Sequence, residues 1–255
     1  MLYSGLCSIT FRQHSVEEVI ALCQQAGIEG IEWGGDVHVP PGEAALAASV
    51  KAKTEAAGLK VSSYGSYNKC DRESGPISEE LESADALGAP VIRVWAGRKA
   101  SADAGADYRA EVVEHLKRAV VAARELDITI ALEYHRNTLT DTQASAHQLL
   151  REVGLPELKL YWQPRTSEGD RASNLAELEA ALPKLAHIHC FHWGMGGFKD
   201  RYPLLDGTGD WKAYLDAVRG LEEDRYVILE FVKDDSPEQF LEDTKVLNAL
   251  LKNDH

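Results

Sequence analysis

One pattern constrains this chain more than any other: short β-rich apolar runs alternate with longer amphipathic stretches from end to end. The runs begin at Leu2, Ile28, Leu59, Val91, Ile128, Leu158, His187 and Tyr226. They start roughly 25 to 40 residues apart, and eight strand–helix units of that length describe a closed (β/α)8 barrel. The intervening stretches carry helix boundaries. Ser15 with Glu18 three residues on forms a capping-box pattern before Val19-Ile20-Ala21-Leu22, and Gly27, Gly58 and Gly88 stand at helix ends. The spacing predicts strands over 2–10, 28–33, 59–64, 91–95, 128–134, 158–162, 187–191 and 226–231. Helices are predicted over 44–57, 78–87, 108–126, 142–153, 174–182, 211–221 and 237–251.

An open, doubly wound sheet alternates in the same way, but it carries a Gly-rich phosphate turn after its first strand. Here the first strand runs into Thr10-Phe11-Arg12-Gln13, so the α/β barrel is the expected fold. No composition break or linker divides the chain, and one domain over 1–255 is expected. A net charge of -14 and the absence of a Lys/Arg run argue against nucleic acid. No apolar run approaches the roughly 20 residues that span a bilayer, and the first residues show no signal-peptide pattern. Cys7, Cys23, Cys70 and Cys190 lack CxxC spacing and read as free thiols. A cytoplasmic protein is expected.

Several strands end in groups that a buried strand tolerates only with partners. Thr129-Ile130-Ala131-Leu132 runs into Glu133-Tyr134-His135, Leu185-Ala186 into His187-Ile188-His189, and Val227-Ile228-Leu229 into Glu230. Each alone has an ordinary reading, as a rim salt bridge or a packed core histidine. Jointly they point to one polar site at the strand C-terminal ends, where barrels of this architecture do their chemistry. Glu133 and His135 share a strand face, as do His187 and His189. Carboxylates with imidazole suit a divalent ion (Mn, Mg, Zn or Co).

Trp33, Trp95, Trp162 and Trp193 end or follow predicted strands. They read either as a stacking rim for a sugar or as caps on the barrel core. Glu32 and Arg93 read as an ion pair, supporting the site or merely closing a rim.

Gly30-Ile31-Glu32, Ile92-Arg93-Val94-Trp95-Ala96-Gly97, Ala131-Leu132-Glu133-Tyr134-His135, His187-Ile188-His189 and Gly207-Thr208-Gly209-Asp210-Trp211 resemble the xylose-isomerase-like barrel family. That family comprises sugar isomerases and epimerases, inosose dehydratases and hydroxypyruvate isomerases, and is related to endonuclease IV. The resemblance implies one divalent ion held after strands five to eight, by Glu133, Gln163, His189 and Glu230. Gln163 departs from the family's Asp, Thr166 stands where a His is usual, and His192 replaces an Asp. An amide contributes no negative charge, so weak binding is expected.

The resemblance implies a metal-dependent isomerase or epimerase of a small sugar or polyhydroxy carbonyl compound, working by proton transfer through an enediolate. Glu133 and Glu230 would be the acid/base pair. His135, Trp33, Trp95, Arg93, His187 and His192 would face the substrate, with His135 orienting a hydroxyl or Glu133. The alternatives are an inosose-dehydratase-like lyase, with His135 or His192 as leaving-group acid, and a non-catalytic sugar-binding barrel with a degenerate metal site. A homodimer is expected.

Overall fold

Eight parallel strands close into a barrel in sequence order, β1 pairing with β8, in a computed structural model that describes residues 1–165 and 170–252. The strands are β1 Leu2–Cys7, β2 Gly30–Gly34, β3 Lys60–Gly65, β4 Val91–Val94, β5 Thr129–Glu133, β6 Lys159–Trp162, β7 Leu185–Cys190 and β8 Arg225–Leu229. The helices are α1 Val16–Ala26, α2 Ala44–Ala56, α3 Ser78–Leu87, α4 Ala106–Arg124, α5 Gln143–Val153, α6 Arg171–Ala181, α7 Thr208–Val218 and α8 Pro237–Lys252. Among the described residues no helix is long and apolar enough to cross a membrane.

Local chemistry sets these boundaries. Ser15 accepts from the Glu18 amide while the Glu18 carboxylate accepts from the Ser15 amide, closing the expected capping box on α1. Gly27, at φ 72°, ends that helix in the left-handed conformation that glycine adopts without a Cβ clash. The first strand is shorter than the expected 2–10. After Cys7 the chain turns into a 3-10 segment, Ser8–Phe11, because the Ser8 hydroxyl leaves the sheet direction to accept from the Gly34 amide.

Alternation along the strands divides the apolar core in two. The larger part lies between barrel and helices and includes Leu6, Ile31, Trp33, Leu160, Trp162 and Leu229. The smaller fills the barrel interior with Cys7, Ile9, Val91, Ala131, Tyr161 and Ile228, against which Tyr226 packs. Gly30 belongs to that interior: a Cβ there would lie 2.4 Å from the Tyr226 ring. The Gly30-Ile31-Glu32 order therefore has a packing reason. Glycine admits the Tyr226 ring below, Ile31 meets the outer layer, and Glu32 returns to the interior above.

The Gly207–Trp211 segment has a similar reason. A Cβ on Gly207 would stand 2.6 Å from His192 Nδ1, while buried Trp211 donates to the Phe191 carbonyl at 2.9 Å. Trp211 also packs edge-on to Trp162 at 6.4 Å between centroids. The start of α7 is thereby fixed to the exit of β7.

Candidate active site

Three carboxylates enter the upper barrel from β2, from the end of β5 and from the residue after β8. Glu32 is fully buried, and Glu133 and Glu230 are nearly so. Charge of that density in a dry interior requires compensation. Arg93, from β4, supplies part of it, donating from Nε to Glu32 at 3.1 Å and from Nη1 to Glu133 at 2.7 Å. Gly65 makes room for this pair, since a Cβ there would lie 2.9 Å from both the Arg93 guanidinium and Glu32. Trp95 also donates to Glu133 through its indole N–H.

His189 stands at the centre, with no exposure to solvent. Its Nε2 lies 3.3 Å from Glu32 Oε1. Its Nδ1 lies 3.5 Å from a Glu133 oxygen and 3.5 Å from a Glu230 oxygen, yet it makes no hydrogen bond. One ligand atom each from Glu133, His189 and Glu230 fall within 4.8 Å of one another. Gln163, just past β6, donates from Nε2 to the Tyr134 carbonyl at 2.7 Å, and its buried Oε1 has no hydrogen-bond partner.

Two buried polar atoms without a hydrogen-bond partner, His189 Nδ1 and Gln163 Oε1, stand beside two carboxylates, and a neutral His189 would offer a cation its Nδ1 lone pair. With His189 neutral, as a metal ligand must be, one guanidinium against three carboxylates leaves negative charge that a dication would balance. The set of carboxylate, imidazole and amide oxygen suits a divalent ion of intermediate hardness, so these residues fit a metal.

The electrostatics follow from the same contacts. Burial pushes Glu133 upward, but Arg93 and His189 outweigh it and hold the carboxyl far below its ordinary range. Glu230 lacks a guanidinium partner; burial dominates and raises it above the usual carboxylate value, against the pull of His189. His189 is itself raised well above an ordinary imidazole: burial opposes its charge, and Glu230 and Glu32 overcome that opposition. The two carboxyls beside one ring edge thus differ in proton affinity.

Beneath this cluster Glu32 is an acceptor hub. It receives Cys7 Sγ at 3.1 Å, Ser63 Oγ at 2.9 Å, the Tyr161 hydroxyl and Arg93. The sequence pointed to Glu32 and Arg93 but missed Cys7, Ser63 and Tyr161. Their only signal is parity along β1, β3 and β6, which hydrophobicity does not expose. All four cysteines are free and buried, as their spacing suggested.

Several expected substrate contacts are corrected by the geometry. Trp33 points outward, fully buried, and its indole donates to Thr54 of α2 at 3.2 Å. Parity decides this, because Glu32 faces inward and its neighbour must face the helices. His187 lies one layer below the site. Its Nε2 meets the Ser62 carbonyl at 3.2 Å and its Nδ1 accepts from the Tyr226 amide at 3.2 Å, so both nitrogens are committed. Arg93 supports the site through Nε to Glu32 and Nη1 to Glu133.

His192 falls on the outward parity of β7 and packs near Tyr202 and Gly207. Trp162 likewise faces the helices, and Trp193 stacks on Phe191 at 3.6 Å. His135 lies beyond the end of β5. It reaches the mouth by stacking on Trp95, centroids 4.5 Å apart, while its Nδ1 meets the Arg136 carbonyl. Thr166 lies outside the described residues.

A family model described as the xylose isomerase-like TIM barrel matches residues 20–250. The chain belongs to that family. It is an enzyme family, and this member keeps the family's barrel end to end. A 3-dehydroshikimate dehydratase of Bacillus anthracis is 25% identical, over 97% of this chain and 96% of its own length. Among solved structures, the probable 3-DHS dehydratase of petrobactin synthesis from Bacillus anthracis superposes with a TM-score of 0.79 at 21% identity. That match covers 96% of this chain and 98% of the other. The IolI protein, solved with a zinc atom bound, gives a TM-score of 0.73 at 15% identity over 98% of both chains.

Proposed function

We propose that the protein is a divalent-metal-dependent dehydratase of a small polyhydroxylated carbonyl compound. The observation that carries this reading is the convergence of Glu133 and Glu230 on the unbonded Nδ1 of His189. Glu133, Gln163, His189 and Glu230 would hold the ion, which when bound supplies a Lewis acid for the substrate carbonyl. The chain's own residues do the rest. Arg93 and the Trp95 indole keep Glu133 ionised and oriented, and one of the two carboxylates takes the proton beside the carbonyl. The electron pair left by that C–H bond forms a C=C bond as the neighbouring C–O bond breaks, and the hydroxyl leaves as water after protonation. His135, held at the mouth by Trp95, is placed to supply that proton.

Elimination is chosen over isomerisation on the strength of the full-length dehydratase relative. A second reading, isomerase or epimerase, rests on the same pair: one carboxylate removes the proton and the other returns it, with no bond to oxygen broken. Incubation with Mn²⁺ and either 3-dehydroshikimate or D-fructose, followed by mass spectrometry, decides between them. The dehydratase yields a product lighter by one water, and Glu133→Gln slows it by about 10²–10⁴-fold. A new isomer of unchanged mass supports the second reading. No product with stoichiometric metal bound overturns both.

A further inference from the structure

The β3–α3 loop carries a cation that the site described so far does not use. Lys69 is partly buried, in a chain of net charge -14 where acidic partners abound. Its Nζ nevertheless makes no ion pair or hydrogen bond among the described residues, and lies 5.1 Å from the centroid of the Trp95 ring. The same indole donates to Glu133. The ammonium is therefore one side chain away from the carboxylate cluster, at the open end of the barrel. Its backbone is pinned from both sides, the Lys69 amide donating to Ser74 Oγ at 3.0 Å and the Gly97 amide to the Lys69 carbonyl at 2.7 Å.

The two arginines of the adjoining loops are already paired, whereas Lys99 lies over the Tyr108 ring, 4.7 Å from its centroid. Arg12 is paired with Asp36 and donates to the Tyr67 hydroxyl, and Arg98 is paired with Asp71. Tyr67 meets the Trp95 ring edge-on at 5.7 Å. An ammonium held over an indole on a fixed loop, with no carboxylate partner among the described residues, is arranged to receive an anion.

We infer that Lys69 binds an anionic group, carboxylate or phosphate, on the substrate. The proposed reaction would then act on an acid or ester-phosphate rather than on a neutral sugar. This rests on the proposed function for the word substrate, whereas the binding itself does not. A carboxylate and a phosphate share the chemistry that Lys69 offers, and the probes separate them.

The test is calorimetric binding in the presence of Mn²⁺, without reference to turnover, of two matched pairs. One is 3-dehydroshikimate with its methyl ester, and the other is D-fructose 6-phosphate with D-fructose. Wild type should bind the anionic member of at least one pair about tenfold more tightly than its neutral counterpart. The pair that shows it identifies the group. Lys69→Met should erase that preference while leaving the neutral ligand's affinity unchanged, and Lys69→Arg should restore most of it. A preference that survives Lys69→Met belongs to the metal or another cation and overturns the inference. So does the absence of any preference in wild type, including binding of neither member. Turnover of a neutral compound unaffected by Lys69→Met would sink the inference and leave the proposed function standing. Lys69-dependent anion binding without turnover would do the reverse.

Discussion

Glu32 Oε1 lies 3.3 Å from His189 Nε2, so the ring is held by a carboxylate from β2 while its other nitrogen faces Glu133 and Glu230. This carboxylate–imidazole pairing fixes the ring's orientation and raises the basicity of Nδ1. Glu32 is held in turn by Cys7, Ser63, Tyr161 and Arg93.

Replacing Glu32 by Gln keeps the shape but removes the charge behind the ring. Mn²⁺ affinity should fall by about 10–100-fold, the usual scale for losing such a partner. Calorimetric titration reads it. Unchanged affinity would mean that Glu32 is only structural.

Gln163 offers a partnerless carbonyl oxygen and an amide anchored on Tyr134. Gln163→Asp gives up the anchor but adds a negative charge, and Mn²⁺ should bind more tightly by about 1–3 kcal/mol, the scale of charge-assisted contacts. Glu230→Gln should weaken it. If Gln163→Asp and wild type titrate alike, Gln163 is not a ligand.

Arg93 is the single guanidinium between Glu32 and Glu133, 2% exposed. Arg93→Met strands two buried carboxylates and should cost about 3–5 kcal/mol of stability, as breaking a buried pair does. Urea unfolding followed by circular dichroism measures it. A loss under 1 kcal/mol would show that protonation of the carboxyls compensates.

His38 gives the fold a pH dependence away from the site. Its Nε2 meets the His14 carbonyl at 3.1 Å and its Nδ1 meets Ser8 Oγ at 3.0 Å. Burial lowers its proton affinity below an ordinary imidazole, outweighing the His14 carbonyl. The unfolded chain therefore takes up the proton first as pH falls. The stability His38 contributes is complete above its ordinary pKa of about 6.5 and is lost as pH drops through the depressed value. Thermal unfolding of wild type should lose stability over that range, and His38→Asn should flatten that part of the curve. Identical pH profiles would rule His38 out.

Strand–helix alternation and helix signals are local properties, and so the sequence determined the barrel, most element boundaries and the Ser15 cap. Glu133, His189 and Glu230 were legible for a related reason: a charged group ending an apolar run is conspicuous in one dimension. Side-chain direction was not. Trp33 beside Glu32, and His187 two residues from His189, differ from those neighbours by strand parity or by one layer along the barrel. Only the strand registers decide which of them reach the upper interior. Tertiary structure alone also brought Tyr161 to Glu32 across 129 positions and set Lys69 over Trp95. Those pairs depend on distant strands meeting around a closed ring, and no local spacing in the chain records that meeting.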